Sequence, residues 1–347
     1  MTHHVKSPRS FTLLLLFILS CVALLPAQQV PAQAAALPAP AAAPQQLPAL
    51  FGIEMHSATN GWIVGNYRTI LHWNGRYWRQ IPTPDHVGAV YDVSILNATD
   101  AWAIAGEGQG DVVLRWNGSS WQPIGLPPHT ADLLTIDMLS PTLGWIGGYG
   151  GPYTWNGVLW AKDADVFEVY ASAALSPTDV WMGGRSLYRY NGTTWTFYDN
   201  KGVHSQDMMF SSPTDGWIVG GAITFCYQGD CIYEGATGHW DGNSWVRVAM
   251  ENPTGVSLHG VWSSTTSGTW AVGGRSASGI ILRWTGSAWS EIPVPAGVGT
   301  LSDIAMVSAT DGWAVGFNGK ILRWNGSQWN LWTYAIEQTY IPLTAGE

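Results

Sequence analysis

The chain reads as an all-β protein, a seven-bladed β-propeller with four antiparallel strands in each blade. Three observations predict this. Fourteen of the 22 tryptophans fall into seven pairs. The pairs recur with a period of roughly 40 residues, the length of one propeller blade. Between them run short aromatic and β-branched stretches broken by many of the 41 glycines, and helix signals are poor after residue 50. One such unit cannot bury both faces alone, so successive copies must stack.

The last copy, residues 301–332, shows the grammar. Residues 301–307 alternate their apolar positions and make the inner strand. Ala309-Thr-Asp-Gly312 reads as a turn, with Gly312 expected at a positive φ. Trp313-Ala-Val is the second strand and Gly316-Phe-Asn-Gly319 the next turn. Lys320-Ile-Leu-Arg-Trp324 is the third strand, Asn325-Gly326 a hairpin signal, and Trp329-Asn-Leu-Trp332 the fourth strand. The first tryptophan recurs at Trp62, Trp102, Trp145, Trp181, Trp217, Trp270 and Trp313. Its partner recurs at Trp78, Trp121, Trp160, Trp195, Trp245, Trp289 and Trp329. The large rings are expected to fill the widening space between neighbouring blades.

Successive first tryptophans stand 40, 43, 36, 36, 53 and 43 residues apart. The long interval holds an insertion at 223–238 in blade 5, centred on Cys226-Tyr-Gln-Gly-Asp-Cys231. Its Gly229-Asp230 tip is expected to bring the two sulfurs together as a disulfide in an oxidising compartment. Copy 1 begins with a full inner strand and copy 7 ends with its fourth. Ring closure is therefore expected from packing of blade 1 on blade 7, without a strand from the other terminus, and with the tail helping to cover that seam.

The propeller spans residues 50–333 and the tail 334–347. Residues 1–27 form a signal segment: Lys6 and Arg9 precede an apolar run at 11–25, about 22 Å as a helix against a hydrocarbon core of about 30 Å. Cleaved secretion is expected; an uncleaved anchor and a lipoprotein at Cys21 are the alternatives. Residues 28–49, rich in Ala, Pro and Gln, read as a disordered linker. The net charge of −9, with 15 Lys+Arg and no basic run, excludes the electrostatic footprint of a nucleic-acid binder.

Asp215-Gly-Trp-Ile-Val-Gly220 and Asp311-Gly-Trp-Ala-Val-Gly316, each followed by an apolar third strand and a Gly-x-x-Trp turn, resemble BNR/Asp-box propellers. Within these the chain is most similar to the photosystem II assembly and stability factor type, over residues 50–333. The resemblance implies the fold and an assembly role. The sequence departs from the Asp box in that Asn precedes the turn glycine in five of seven copies and Asp in only one.

Candidate site residues gather at one end. Counted back from the first Trp, Asp92, Asp207 and Asp303 share one inner-strand position, and Glu54 and Asp137 fall two residues further on. Such carboxylates either ring the central channel or bond turn amides of their own blades. His86, His129 and His204 lie in blade-to-blade connections and His259 begins an inner strand; they read as scattered loop histidines, and neither metal nor cofactor is expected. Arg68, Arg185 and Arg275 follow the second strands of blades 1, 4 and 6, with Tyr67 and Tyr149 nearby. The sequons at Asn97, Asn117, Asn191 and Asn325 read as turn chemistry. The expected function is an exported, non-enzymatic scaffold that takes a protein or peptide on the loop face and channel mouth and serves a membrane or surface complex. An Asp-box glycosidase or lyase, and a glycan-binding lectin, are the alternatives.

Overall fold

The computed structural model describes residues 47–338 apart from 108–109, 128–129, 131, 164–167, 228–229 and 334–335. The signal segment and most of the linker lie outside the described residues. Seven sheets, each an antiparallel meander of four sequence-consecutive strands, are the seven blades. No helix occurs among the described residues. Blade 1 runs inner to outer through Leu50–Ser57, Asn60–Gly65, Thr69–Trp73 and Trp78–Gln80. The inner strands of blades 2 to 7 are Val87–Asn97, Leu133–Ser140, Ala171–Ser176, His204–Ser212, Val256–Ser264 and Leu301–Ser308.

The tryptophan pairs hold the blades to one another. Each first tryptophan enters the cleft between the two aromatic residues that flank the outer hairpin of the following blade. Trp62 meets Trp116 and Trp121 at 5.0 Å, Trp181 meets Trp240 at 5.0 Å and Trp245 at 5.5 Å, and Trp217 meets Trp284 at 5.0 Å and Trp289 at 5.1 Å. The ring closes in the same way, Trp313 of blade 7 sitting 4.9 Å from Trp73 and 5.3 Å from Trp78 of blade 1. These are tilted and edge-on contacts, the favoured aromatic geometries. A cation caps several of them from the third strand: Arg115 lies 4.7 Å from the Trp102 ring, Arg189 4.9 Å from Trp181 and Arg323 4.9 Å from Trp313. The same three arginines are bonded to Asp100, Asp179 and Asp311 at the start of the second strand. In blades 1 and 5 a histidine replaces the arginine, with His72 against Trp62 and His239 against Trp217.

Closure differs from expectation in one respect. Blade 1 supplies its own four strands, but Glu337–Gln338 of the tail adds a fifth, parallel to the outer strand at Arg79 and Gln80. Trp332 also packs edge-on against Trp73 and Trp313. The seam is thus closed by tryptophan packing and by a tail strand that crosses it. The outer edge of blade 1 offered unpaired backbone groups that the returning chain could bond.

Gly312 is not at a turn with positive φ. It lies in the second strand directly opposite Met306, and a Cβ there would stand 2.2 Å from Met306 Sδ. Gly61, Gly144 and Gly216 face Met55, Met138 and Phe210 in the same register. Where that glycine is absent the opposing residue is smaller: Ala101 faces Ile95, Val180 faces Ala174 and Thr269 faces Ser263. The position exchanges volume across one strand pair, which is a packing constraint and not a turn constraint. Positive φ falls instead on the turn between third and fourth strands, at Gly75, Gly118, Gly157, Gly192, Gly242, Gly286 and Gly326. There the preceding Asn turns its side chain inward: Asn117, Asn191 and Asn325 each accept the amides two and three residues on. Asn97 accepts from Thr99 in the first turn of blade 2.

The blade 5 insertion prolongs the second and third strands into one long hairpin, Asp215–Tyr227 and Asp230–Trp240. Cys226 is paired with Cys231 in backbone register, and Asp230, expected at the tip, instead begins the third strand opposite Tyr227. The two side chains lie outside the described residues.

Candidate functional site: the channel and its loop-face mouth

Because every blade is an antiparallel meander, inner strands start, and second strands end, on one face of the ring. That face carries the blade-to-blade connections and the turns between second and third strands. The inner strands bring all five acidic residues to the channel. Glu54, Asp92, Asp137, Asp207 and Asp303 line one cavity of about 320 Å³. Asp92, Asp207 and Asp303 also floor a smaller recess of about 110 Å³ on the mouth side, walled by Phe51, Tyr91, Tyr170 and His259.

The carboxylates do not brace turns of their own blades. Each accepts a main-chain amide from the inner strand of the next blade. Asp303 Oδ2 accepts Ile53 N at 2.8 Å, Glu54 Oε2 accepts Ile95 N at 2.8 Å and Asp92 Oδ2 accepts Ile136 N at 2.8 Å. Asp137 Oδ2 accepts Ala174 N at 2.6 Å and Asp207 Oδ2 accepts Val261 N at 2.7 Å. The second oxygen of Asp92, Asp207 and Asp303 accepts the amide of the following residue in its own inner strand. The two readings from sequence were a channel ring or turn braces; the residues ring the channel and bond across the blade junctions.

Their electrostatics follow from that placement. Burial pushes the carboxyl of Asp92 up to about 6, against the lowering pull of its amide bonds. Burial raises Asp137 to about 7, with repulsion from Asp92 adding to it, and raises Asp207 to about 7. Glu54 is held well above the usual carboxylate range by burial and by Asp137 and Asp92; Asp303 likewise by burial and by Asp207. Neither channel lining contains a lysine or arginine.

The mouth is aromatic. Phe51 stacks on Tyr91 at 5.8 Å and meets Phe317 at 6.2 Å, His259 packs edge-on against Phe317 at 5.3 Å, and Tyr149 against Tyr170 at 5.7 Å. Tyr67 (79 % exposed), Tyr149 (55 %) and Phe317 (42 %) stand out into solvent on this face. Tyr67 and Arg68 adopt the left-handed conformation with φ of 51° and 62°. Phe317 and Phe51 were missed from sequence, because one occupies an ordinary turn position and the other an ordinary strand-end position.

The three arginines are not brought together. They sit in blades 1, 4 and 6, and each pairs with a different carboxylate: Arg68 with Asp85, Arg185 with Glu168 and Arg275 with Glu291. Among the described histidines, His86 is exposed in the first connection, His204 begins the inner strand of blade 5 and His259 bonds Ser257. His129 lies outside the described residues. Among the described residues no group of three His, Cys, Asp or Glu has metal-binding geometry. All the paired tryptophans but Trp195 are buried, so they offer no ring face on which a sugar can stack.

No family model matches the chain, and no curated protein matches it. Similar solved structures are propellers. A structure described as YCF48 bound to D1 peptide shares 17% identity with a TM-score of 0.60, over 81% of this chain and 95% of that one. YCF48 from Cyanidioschyzon merolae shares 18% with a TM-score of 0.60, over 82% and 99%. The WD40 propeller domain of Doa1 shares 9% with a TM-score of 0.61, over 80% and 93%. At these identities the likeness carries the fold, a seven-bladed β-propeller.

Proposed function

We propose that this protein is a non-enzymatic scaffold that binds a peptide or protein segment across the loop face, anchored at the aromatic channel mouth. The observation that carries the proposal is that two exposed aromatic side chains, Phe317 and Tyr149, pack on Phe51, His259 and Tyr170 of the recess, on the face where the seven repeats differ. Exposed Tyr and Phe side chains present large contact area at low entropic cost, the character of binding anchors. A left-handed non-glycine pair such as Tyr67-Arg68 costs on the order of 1–3 kcal/mol and persists where a function retains it. A D1 peptide bound to a propeller of the same architecture supports a peptide as the ligand class.

The finer reading is an exported Asp-box-type repeat protein serving assembly of a membrane or surface complex. Its chemical marker is a Cys226–Cys231 disulfide. Cys226 and Cys231 stand opposite each other in backbone register, the placement a cross-strand disulfide needs. Mass spectrometry of the exported protein should find the tip peptide two hydrogens lighter than its reduced form. Selection of short random peptides on the immobilised protein tests the scaffold itself. Binders should lose affinity at least tenfold on Phe317→Ala and Tyr149→Ala; binders indifferent to both changes overturn the proposed face.

A further inference from the structure

Seven blades meet at seven junctions around the channel, and five junctions carry the same device. In each, a carboxylate on one inner strand accepts an amide of the next inner strand: junctions 1–2, 2–3, 3–4, 5–6 and 7–1. The device obeys a register rule. A carboxylate ten residues before the first tryptophan bonds the amide nine before the next, and one eight before bonds the amide seven before. Ser94, eight before Trp102, follows the same rule by accepting Met138 N at 3.0 Å. Junctions 4–5 and 6–7 have Ala171, Ala173, Gly260 and Trp262 at these positions and cannot make the bond.

The five acceptors look into one confined channel. The donors they bond are neutral amides, so ionisation of the ring sets like charges against one another with no cation in the lining. Protonation leaves the acceptor oxygen in place and removes the repulsion. We propose that the carboxylate ring is an acid-tightened clasp on the propeller, drawing the blades together when protonated and loosening the ring, first at junctions 4–5 and 6–7, when it ionises.

The sign follows from the shifts. Each of these carboxyls binds its proton more tightly folded than unfolded, so the protonated ring is a stabilising element fully present below the ordinary carboxylate range. That contribution is lost as the pH climbs through about 6 for Asp92 and about 7 for Asp137 and Asp207. The neighbours do not oppose it. On the mouth side the trio Asp92, Asp207 and Asp303 faces Tyr91, Tyr170 and His259; on the far side it faces Glu54 and Asp137. Burial lowers the His259 pKa and raises that of Tyr170, so it disfavours the charged form of each.

Thermal melting of the purified protein tests the clasp. The wild type should melt higher at about pH 5 than at about pH 8, by roughly 5 °C or more. The Asp207→Asn/Asp303→Asn double variant keeps one acceptor oxygen at each junction, gives up the own-strand amide bond of Met208 and Ile304, and removes two charges. Whatever its absolute melting temperature, it should show a visibly smaller pH dependence than the wild type. Asp92→Asn alone should move the same way by a smaller amount, and serves if the double variant does not fold. Hydrogen exchange, corrected for intrinsic rates, should rise with pH most in Ala171–Ser176 and Val256–Ser264, the inner strands that precede the two unclasped junctions. A wild type that melts higher at the alkaline pH, variants that keep the full slope, or exchange that rises evenly around the ring would each overturn the proposal.

Discussion

The two faces of the propeller are built from the same seven meanders but obey different rules. On the face away from the mouth, the turn between first and second strands and the turn between third and fourth strands repeat almost residue for residue. Ser57, Ser140, Ser176, Ser212 and Ser308 each accept the amide of a Thr two residues on. Those threonines pack beneath the positive-φ glycine of the neighbouring turn: a Cβ on Gly326 would lie 3.1 Å from Thr310, and one on Gly192 2.7 Å from Thr178. On the loop face no such template holds. Among the described residues, all six non-glycine positions with positive φ lie there: Tyr67, Arg68, Asp132, Lys201, Asn252 and Ser276. Glycine holds the positive-φ position in all seven turns between third and fourth strands, whereas the loop face uses six positive-φ glycines beside these six costlier residues. Repeated geometry marks the scaffold, and tolerated strain marks the working surface.

The largest effect expected from breaking this contrast lies in the shared machinery between the faces. Trp313→Ala removes a fully buried ring wedged among Trp73, Trp78 and Trp332 at the closing seam. Denaturant unfolding should show a loss of about 3–5 kcal/mol. Gly312→Ala comes next: it drives a methyl into Met306 and should cost about 1–3 kcal/mol by the same measurement. Combined with Met306→Ala it should cost clearly less than the two single losses together, a coupling that a turn-glycine role for Gly312 would not produce.

Smaller effects sharpen the difference between faces by their sign. Gly326→Ala, at φ 92°, should destabilise by about 1–2 kcal/mol. Ser276→Gly, at φ 57° on the loop face, relieves strain and should leave stability within about 0.5 kcal/mol of wild type or raise it. Equal losses at both positions would mean that the strained loop residues are structural after all. Tyr67→Ala, a highly exposed side chain, should change stability by less than about 0.5 kcal/mol while weakening peptide capture.

The fold was legible in the sequence because one residue type reports it. Tryptophan is scarce in ordinary chains, so seven pairs at blade spacing mark a repeat, and both members of a pair prove to be interblade contacts. The same reasoning misplaced Gly312, since glycine beside Asp suggests a turn and only the opposing Met306 reveals a packing role. The volume exchange was nonetheless written in the chain, in Met55 with Gly61 against Ala174 with Val180. The acidic positions were found by counting back from the tryptophans. Their partners were not, because each carboxylate bonds an amide in the next copy, 41 residues away for Glu54 and 250 for Asp303, and a main-chain donor has no residue identity to read. The mouth aromatics Phe51 and Phe317 escaped for a related reason: they converge only when blades 1 and 7 meet at the seam.

The division of labour between the faces is tested most directly by hydrogen exchange of the protein with and without a peptide selected on it. The account predicts protection confined to the loop face, in the turns carrying Tyr67, Tyr149 and Phe317 and in the starts of the inner strands at Phe51 and Tyr91. The turns holding Val158 and Leu159, exposed apolar residues on the opposite face, should exchange unchanged. Protection centred on those opposite turns or on the outer strands, with the mouth unaffected, would contradict it.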